Sequence, residues 1–319
     1  MDCLYIVVPC YNEEEVLPET SKRLREKLNA LIAGDKIAPD SRVMFVNDGS
    51  KDRTWEMIQA LHAADPMFEG VCLSRNRGHQ NALLAGLMTA KEYADMVISM
   101  DADLQDDINA VDEMVEKYRE GCDIVYGVRS SRAKDTAFKR ETAQAYYKIV
   151  NRLGGELVYN HADYRLMSRR ALDALEEYGE VNLFLRGIVP MLGYKTAIVE
   201  YERGERFAGE SKYPLKKMLA LSVDGVTGLS MKPIEYVFFG GCGMLAASAV
   251  LLVVFIIMAC CGHSMLNWRI ILFAMLFCTG LILTALGIVG EYVGKTYLES
   301  KHRPRYHISE ILHTDKKEW

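Results

Sequence analysis

Several features are scarce or missing in this sequence, and each absence narrows what the chain can be. The eight cysteines contain no Cys-x-x-Cys pair, so zinc-knuckle spacing is excluded. Cys3, Cys10, Cys72 and Cys122 are scattered through the more polar part, and Cys242, Cys260, Cys261 and Cys278 lie in apolar stretches. A disulfide framework is not expected in a chain of 319 residues, and buried free thiols in a reducing compartment are the simpler reading. A basic excess is also missing. The formal net charge of -5 excludes a general affinity for nucleic acid, so an anionic ligand must be met by local basic clusters. Met1-Asp2-Cys3 has no basic flank, and the apolar run Leu4–Val8 is too short for a secretory leader. The first domain is therefore expected in the cytosol. No internal repeat or low-complexity stretch is visible. The most consequential absence is that of charge: residues 237–261 and 270–290 carry no charged side chain at all.

Such runs match the roughly 20 apolar residues that cross a bilayer core. A short link, Gly262–Arg269, makes them a hairpin. Lys212, Lys216, Lys217 and Lys232 precede it, and Lys295, Lys301, Arg303 and Arg305 follow it, with Arg269 alone between the spans. The distribution of basic residues puts both flanks in the cytoplasm, which predicts a multi-pass protein of the plasma membrane with its soluble domain inside. Pro214–Met231 mixes apolar residues with Lys216 and Lys217, and reads equally as an interfacial helix on the lipid surface or as a packing helix. Gly290-x-x-x-Gly294 offers a close-approach face for a second copy. The resulting division is a domain over 1–212, an interfacial segment over 213–234, a hairpin over 235–294 and a tail over 295–319.

The first domain alternates strand and helix patterns. Leu4–Val8, Val43–Val46, Val71–Leu73, Met96–Met100 and Asp123–Val128 are short apolar runs suited to buried parallel strands. Between them lie helical patterns over 14–33, from Ser50 or Asp52 through Leu61, over Asn81–Lys91 and over Ile108–Glu120. Residues 139–201 parse less clearly, with helical patterns at Thr142–Leu153 and Arg169–Glu177 and a strand pattern at Ala197–Glu202. This alternation predicts an α/β domain with a mostly parallel sheet and helices on both faces. Ligands in such sheets bind beyond the carboxyl ends of the strands. The polar clusters after strands one, two and four fall there.

One of those clusters is Asp101-Ala102-Asp103-Leu104-Gln105-Asp106. Two carboxylates one residue apart at a strand end can reach one Mg²⁺ or Mn²⁺, a hard cation that commonly bridges to substrate phosphates. With Val8-Pro9-Cys10-Tyr11-Asn12-Glu13, Val46-Asn47-Asp48-Gly49-Ser50, Asn76-x-Gly78 and Arg206-x-x-Gly209-Glu210-Ser211-Lys212, the run resembles the family 2 glycosyltransferases of GT-A fold. Within them it resembles the polyprenyl-phosphate sugar transferases, which include bactoprenol glucosyltransferases and dolichyl-phosphate mannose synthases. The resemblance covers nearly the whole chain.

It implies inverting transfer of a sugar from a nucleotide-sugar, with UDP-glucose the first choice, to a polyprenyl phosphate such as undecaprenyl phosphate. It also implies roles for residues. Pro9, Tyr11 and Glu13 would line the nucleotide base and ribose and Asp48 would contact the base, beside Asn76 and Gly78. Asp101 would sit near the ribose and the diphosphate, and Asp101, Asp103 and Gln105 would hold the metal. Arg129, Arg140 and Arg206, with Lys212, would meet the acceptor phosphate. Asp163 would serve as base, or would orient the sugar or Arg165 instead. Arginine suits phosphate through its planar pair of donors, and Arg203, Arg206 and Lys212 lie just ahead of the first span, where a lipid headgroup would arrive. The lysines and arginines there also read as a patch attracted to anionic lipid. A processive polysaccharide synthase is disfavoured, because none of Trp55, Trp268 and Trp319 follows an arginine. A non-catalytic membrane scaffold on the same fold is the alternative from another class.

Overall fold

The computed structural model describes residues 1–130, 161–181, 183–204, 232–260 and 268–314. Arg140, Arg206, Lys212, the helical pattern at 142–153 and the segment 214–231 lie outside the described residues.

The strands are β1 (Leu4–Cys10), β2 (Arg42–Asn47), β3 (Phe68–Leu73), β4 (Met96–Ser99), β5 (Ile124–Arg129), β6 (His161–Ser168), β7 (Thr196–Tyr201) and β8 (Ile308–Leu312). The helices are α1 (Leu17–Ala33), α2 (Thr54–Ala64), α3 (His79–Ala90), α4 (Ala110–Arg119), α5 (Arg169–Glu176), α6 (Leu185–Met191), α7 (Lys232–Cys260) and α8 (Trp268–Ser300). All eight strands form one sheet in the order β7-β5-β6-β4-β1-β2-β3-β8. β6 and β8 run antiparallel to their neighbours and the remaining pairings are parallel. The carboxyl ends of β1 to β5 and β7 therefore share one rim, and so do the amino ends of β6 and β8.

The two-residue period of β1 divides the core. Leu4, Ile6 and Val8 pack on one face with Leu24, Leu28 and Leu31 of α1 and with Val111 and Met114 of α4. Tyr5 and Val7 pack on the other face with α3, α5 and α6. The five strands read from the first 130 residues are present with changes at their ends, because each holds a short apolar run in the sheet; β3 extends back from 71–73 to Phe68 through the buried Glu69 and Gly70. β6 and β8 are additions. β6 escapes its pattern because a buried arginine, Arg165, 1% exposed, interrupts its apolar residues. β8 places the chain's last described residues on the sheet edge beside β3, so part of the predicted tail belongs to the first domain.

Trp55 Nε1 donates to Glu310 Oε2 at 3.3 Å, and His313 Nδ1 lies 2.9 Å from Glu69 Oε1. These contacts, with the stacking of His313 on Tyr93, fasten β8 from both faces.

α7 and α8 have 29 and 33 residues and touch each other. Phe238, Phe239, Val253, Met275, Ile282 and Leu286 on them are exposed. Among the described residues one stretch, Phe277–Ser300, is long and apolar enough to cross a membrane, with a mean hydropathy of 1.6.

The chain leaves β7 toward α7 at the carboxyl rim. It returns from α8 at the same rim, since Ile308 pairs with Leu73, the last residue of β3, and Ser74 N donates to His307 O at 2.9 Å. Glu299 of α8 accepts from Val181 N at 2.9 Å, and Arg305 donates to the Tyr178 carbonyl. The described connection between the apolar helices and the sheet, 301–307, therefore meets the sheet at the end where the polar clusters gather.

Helix α3 crosses β1 and β2 closely because Gly86 faces them: a Cβ there would fall 2.4 Å from Val7 Cγ1 and 2.5 Å from Val46 Cγ2. Gly86→Ala is expected to lower stability by about 1–3 kcal/mol through overpacking, read from denaturant unfolding of the purified protein. An unchanged midpoint would mean that the helix lifts off the sheet freely.

Candidate active site

The rim is built from loops that bind one another through side chain to backbone contacts. Asn12, at φ 53, takes a backbone shape that asparagine tolerates better than most residues. Its N–H meets Ser50 Oγ at 3.0 Å, while its own Oδ1 accepts from Lys51 N at 2.8 Å. Glu13 N donates to Thr54 Oγ1 at 2.9 Å. These bonds lock the turn after β1 to the turn after β2, and so fix the stretch that holds Pro9, Tyr11 and Glu13. The N-cap of α2 is Arg53, without a side-chain cap bond, in place of the expected Ser50 or Asp52; Asp52 lies one residue ahead of it and accepts from Thr54 N at 3.1 Å.

Asp48 is buried, and its two oxygens accept from Arg77 N at 2.6 Å and Gly78 N at 3.0 Å. Burial pushes its carboxyl up, although both N–H groups favour the charged form. The sequence assigned Asp48 to the base, whereas the structure gives both its oxygens to the loop that holds Asn76 and Gly78. Gly49 makes that loop's approach possible. Its φ is +62, and a Cβ would fall 2.5 Å from Asn76 N. Gly78, at φ +86, turns the loop into α3 and presents His79 as its first residue.

His79 Nε2 lies 3.6 Å from Asp101 Oδ1 and 3.6 Å from Asp163 Oδ2. Burial works against charge on this imidazole, but the neighbouring carboxylates of Asp163 and Asp101 outweigh it and raise its pKa. Asp163 extends from β6 and is gripped from two sides. Arg186 of α6 reaches it with Nε at 3.1 Å and Nη2 at 2.8 Å, and Arg165 Nη2 stands 3.0 Å away. Burial alone would raise the Asp163 carboxyl, yet Arg186, His79 and Arg165 hold it well below the usual carboxylate range. Asp101 goes the other way. Burial, together with the nearby charges of Asp163 and Asp103, pushes it up against the pull of His79.

Asp106, absent from the sequence-derived site, is buried further along the same loop. Burial first, and then Asp101, push its carboxyl up to about 6. It accepts from the Tyr201 hydroxyl at 2.5 Å and stands 3.9 Å from Arg129 Nη2. Gln105 Oε1 accepts from Arg203, and Gln105 N donates to Asp103 Oδ1 at 3.1 Å.

Asp48, His79, Asp101, Asp103, Asp106, Arg129 and Asp163 thus lie along one rim, with Arg186 and Tyr201 supplied by α6 and β7. Sequence reading passed over Arg186, Tyr201 and Asp106. The first two sit in the stretch that parsed poorly, and Asp106 ends a run of which the middle drew attention.

Among the described residues no three His, Cys, Asp or Glu side chains converge on a ready cation cage. The donor set fits a cation that shares its coordination with substrate phosphates. Asp101 and Asp103 offer hard oxygens in a place already overfull of negative charge, which raises the Asp101 pKa and which a cation relieves. Gln105 joins them only by exchanging its hydrogen bond from Arg203.

The family model of glycosyl transferase family 2 matches residues 5–176. An uncharacterized glycosyltransferase of Bacillus subtilis (strain 168), YkoT, is 50% identical over 313 residues, 98% of this chain and 93% of that protein. A prophage bactoprenol glucosyl transferase homolog of Escherichia coli (strain K12) is 36% identical, over 96% of this chain and 98% of its own. The bactoprenol glucosyl transferase of Shigella phage SfV is 37% identical, over 95% and 97% respectively.

Removing Asp163 leaves Arg165, 1% exposed, without its carboxylate. Asp163→Ala is expected to lower stability by about 3 kcal/mol, measured by denaturant unfolding. The sign with pH follows from the two shifts. A depressed carboxyl contributes in full above its unfolded pKa of about 4 and loses that contribution only as pH falls through the lower folded value. His79, with its raised pKa, strengthens the pairing below about 6.5 and releases it as pH rises. The gap between wild type and variant should therefore hold or widen from pH 8 to pH 5. A gap that closes by pH 5 would mean that Asp163 already carries a proton there.

Proposed function

The chain belongs to glycosyl transferase family 2, and from that premise we propose that it transfers a sugar from a nucleotide-sugar to a polyprenyl phosphate at the cytosolic face of the plasma membrane. UDP-glucose is the first choice of donor and undecaprenyl phosphate the first choice of acceptor. The observation that carries this reading is positional. The acidic loop Asp101–Asp106 lies on the same rim of the sheet at which the chain departs toward the apolar helices and returns from them. A water-soluble donor and a headgroup at a lipid surface can meet there. The full-length likeness to relatives named for bactoprenol glucosyl transfer supports the choice of acceptor and sugar.

In this reading Pro9, Tyr11 and Glu13 face the nucleotide, and Asp48 acts on it through the loop it braces, Asn76 to Gly78. Asp101 and Asp103 hold Mg²⁺ or Mn²⁺, with Gln105 as a further oxygen. The cation, when bound, offsets the charge that develops on the departing diphosphate. Arg129, with Arg140, Arg206 and Lys212, receives the acceptor phosphate. A lipid phosphate oxygen attacks the anomeric carbon opposite the leaving group, so the configuration inverts. A phosphate monoester, with a second pKa of about 6, is mostly a dianion at neutral pH and asks for no strong base. Asp163 suits a different task. Held low by two guanidinium groups, it keeps Arg186 and His79 in place at the reacting centre instead of removing a proton. The reading keeps a pair of membrane spans, 237–261 and 270–290, and the apolar stretch Phe277–Ser300 supports the second of them. Pairing of two copies through Gly290 and Gly294 belongs to the same picture.

The enzyme reading is tested against the scaffold reading with purified protein, farnesyl phosphate and a panel of UDP-glucose, UDP-N-acetylglucosamine, UDP-galactose and GDP-mannose. Transfer is expected with UDP-glucose, and both EDTA and Asp103→Asn should lower it by about a hundredfold or more. Turnover by Asp103→Asn within a few-fold of wild type would remove Asp103 from the cation site. Failure of every donor would favour a scaffold.

A further inference from the structure

Arg129 and Tyr201 are the last residues of adjacent parallel strands and are paired in register. The Tyr201 ring is buried, 3% exposed, and stands edge-on to Tyr164 with centroids 5.3 Å apart. Packing therefore fixes the ring, and the ring fixes its hydroxyl. That hydroxyl has two partners: it donates to Asp106 Oδ1 at 2.5 Å and accepts from Arg129 Nε at 3.4 Å. Asp106 as an ionised carboxylate can only accept and a guanidinium can only donate, so the direction of the hydroxyl proton is set by its neighbours. Arg129 Nη2 stays 3.9 Å from Asp106 Oδ1, beyond hydrogen-bond length. Neither terminal nitrogen of Arg129 has a hydrogen-bond partner among the described residues. Its Nε edge is tethered while its Nη groups keep their donors for a ligand. A planar pair of donors presented in that way suits a phosphate.

The same strand end is joined to the acidic loop twice more. Gly204 N donates to Gln105 O at 2.8 Å, and Arg203 donates to Gln105 Oε1. Leu104, at φ 55, holds that loop in a left-handed turn. The loop assigned to the cation and the strand end that tethers Arg129 are one connected unit.

We propose that Tyr201 is a positioning residue for the transfer: its hydroxyl, anchored by Asp106 on the cation-side loop, aims Arg129 at the phosphate of the lipid acceptor. This rests on the transfer to a lipid phosphate proposed above. It adds Tyr201 and Asp106 to the machinery and makes the acceptor arginine depend on the loop that serves the donor.

The test uses the full chain in detergent, with UDP-glucose and farnesyl phosphate, for wild type, Tyr201→Phe, Asp106→Asn, Asp106→Ala and the double variant Tyr201→Phe/Asp106→Ala. Phenylalanine keeps the ring packing and removes only the hydroxyl. Tyr201→Phe is expected to raise the acceptor KM about tenfold, the scale of one hydrogen bond to a charged group, with donor KM within about twofold of wild type. Asparagine at 106 retains an oxygen that accepts from Tyr201, so Asp106→Asn should lie nearer wild type than Asp106→Ala does. The double variant should be no worse than the poorer single, because both act through one hydroxyl. Tm is followed throughout, since a merely structural tyrosine would lower Tm without separating the two KM values. An unchanged acceptor KM in Tyr201→Phe, equal damage to donor and acceptor KM, or additive effects in the double variant would each overturn the proposal while leaving lipid-phosphate transfer standing. Calorimetry of farnesyl phosphate binding covers the remaining case: a wild-type protein that neither binds nor uses it overturns the transfer and this inference together.

Discussion

Too many carboxylates share one end of the sheet, and the rest of the site is arranged around that fact. Asp101, Asp103, Asp106 and Asp163 sit within reach of one another's fields in partly dry surroundings, where like charges repel strongly. The protein compensates unevenly. Asp163 receives two guanidinium groups and an imidazole and remains ionised. Asp101 receives the shared imidazole and the weaker field of Arg186, and Asp106 a phenol with a more distant arginine, so burial and the neighbouring carboxylates push both up. The deficit of positive charge is concentrated on the loop from Asp101 to Asp106. Evenly balanced groups would form a structural ion-pair network with nothing left to do. In the proposed function, an acidic loop left short of cations beside a satisfied anchor is where a divalent ion would arrive with its phosphates.

The parts of this arrangement that could be read in the sequence are those whose signal is local. β1 to β5 announce themselves as apolar runs, and the turns that follow them carry Asn12, Asp48 and Asp101 in recognisable company. The partners were not legible. Asp48 was expected beside a nucleotide base, yet its oxygens hold the Arg77 and Gly78 backbone, and no pattern in Asn47-Asp48-Gly49-Ser50 tells a ligand contact from a loop brace. Arg186 comes from a short helix containing Pro190, and Asp163 from a strand whose apolar period is broken by Arg165. Propensity marks both stretches as irregular, through Pro190 in the helix and Arg165 in the strand. Tyr201 ends a strand of ordinary pattern, and only the pairing of β7 with β5 reveals that it faces Arg129.

β8 shows how the sheet is joined to the apolar helices. A strand of five residues at a sheet edge is weak alone, and here it is fastened by Glu310 to Trp55, by His313 to Glu69 and by stacking on Tyr93. Those contacts make α7 and α8 an excursion that starts from β7 and ends in β8, both strands of one sheet, in place of a tail hung from a single point. A single tether would let the domain pivot, and the rim would find a lipid headgroup by diffusion. The pairing of β8 with β3, reinforced where Glu299 and Arg305 meet the 178–181 segment, restricts that pivot. In the proposed reaction, holding the rim beside the returning end of α8 would turn the encounter with an acceptor into a question of local geometry, and positioning of this kind supplies much of the rate in transfer reactions. The antiparallel direction of β8 is what makes the arrangement possible, since a parallel last strand would bring the chain back at the opposite end of the sheet, away from Asp101.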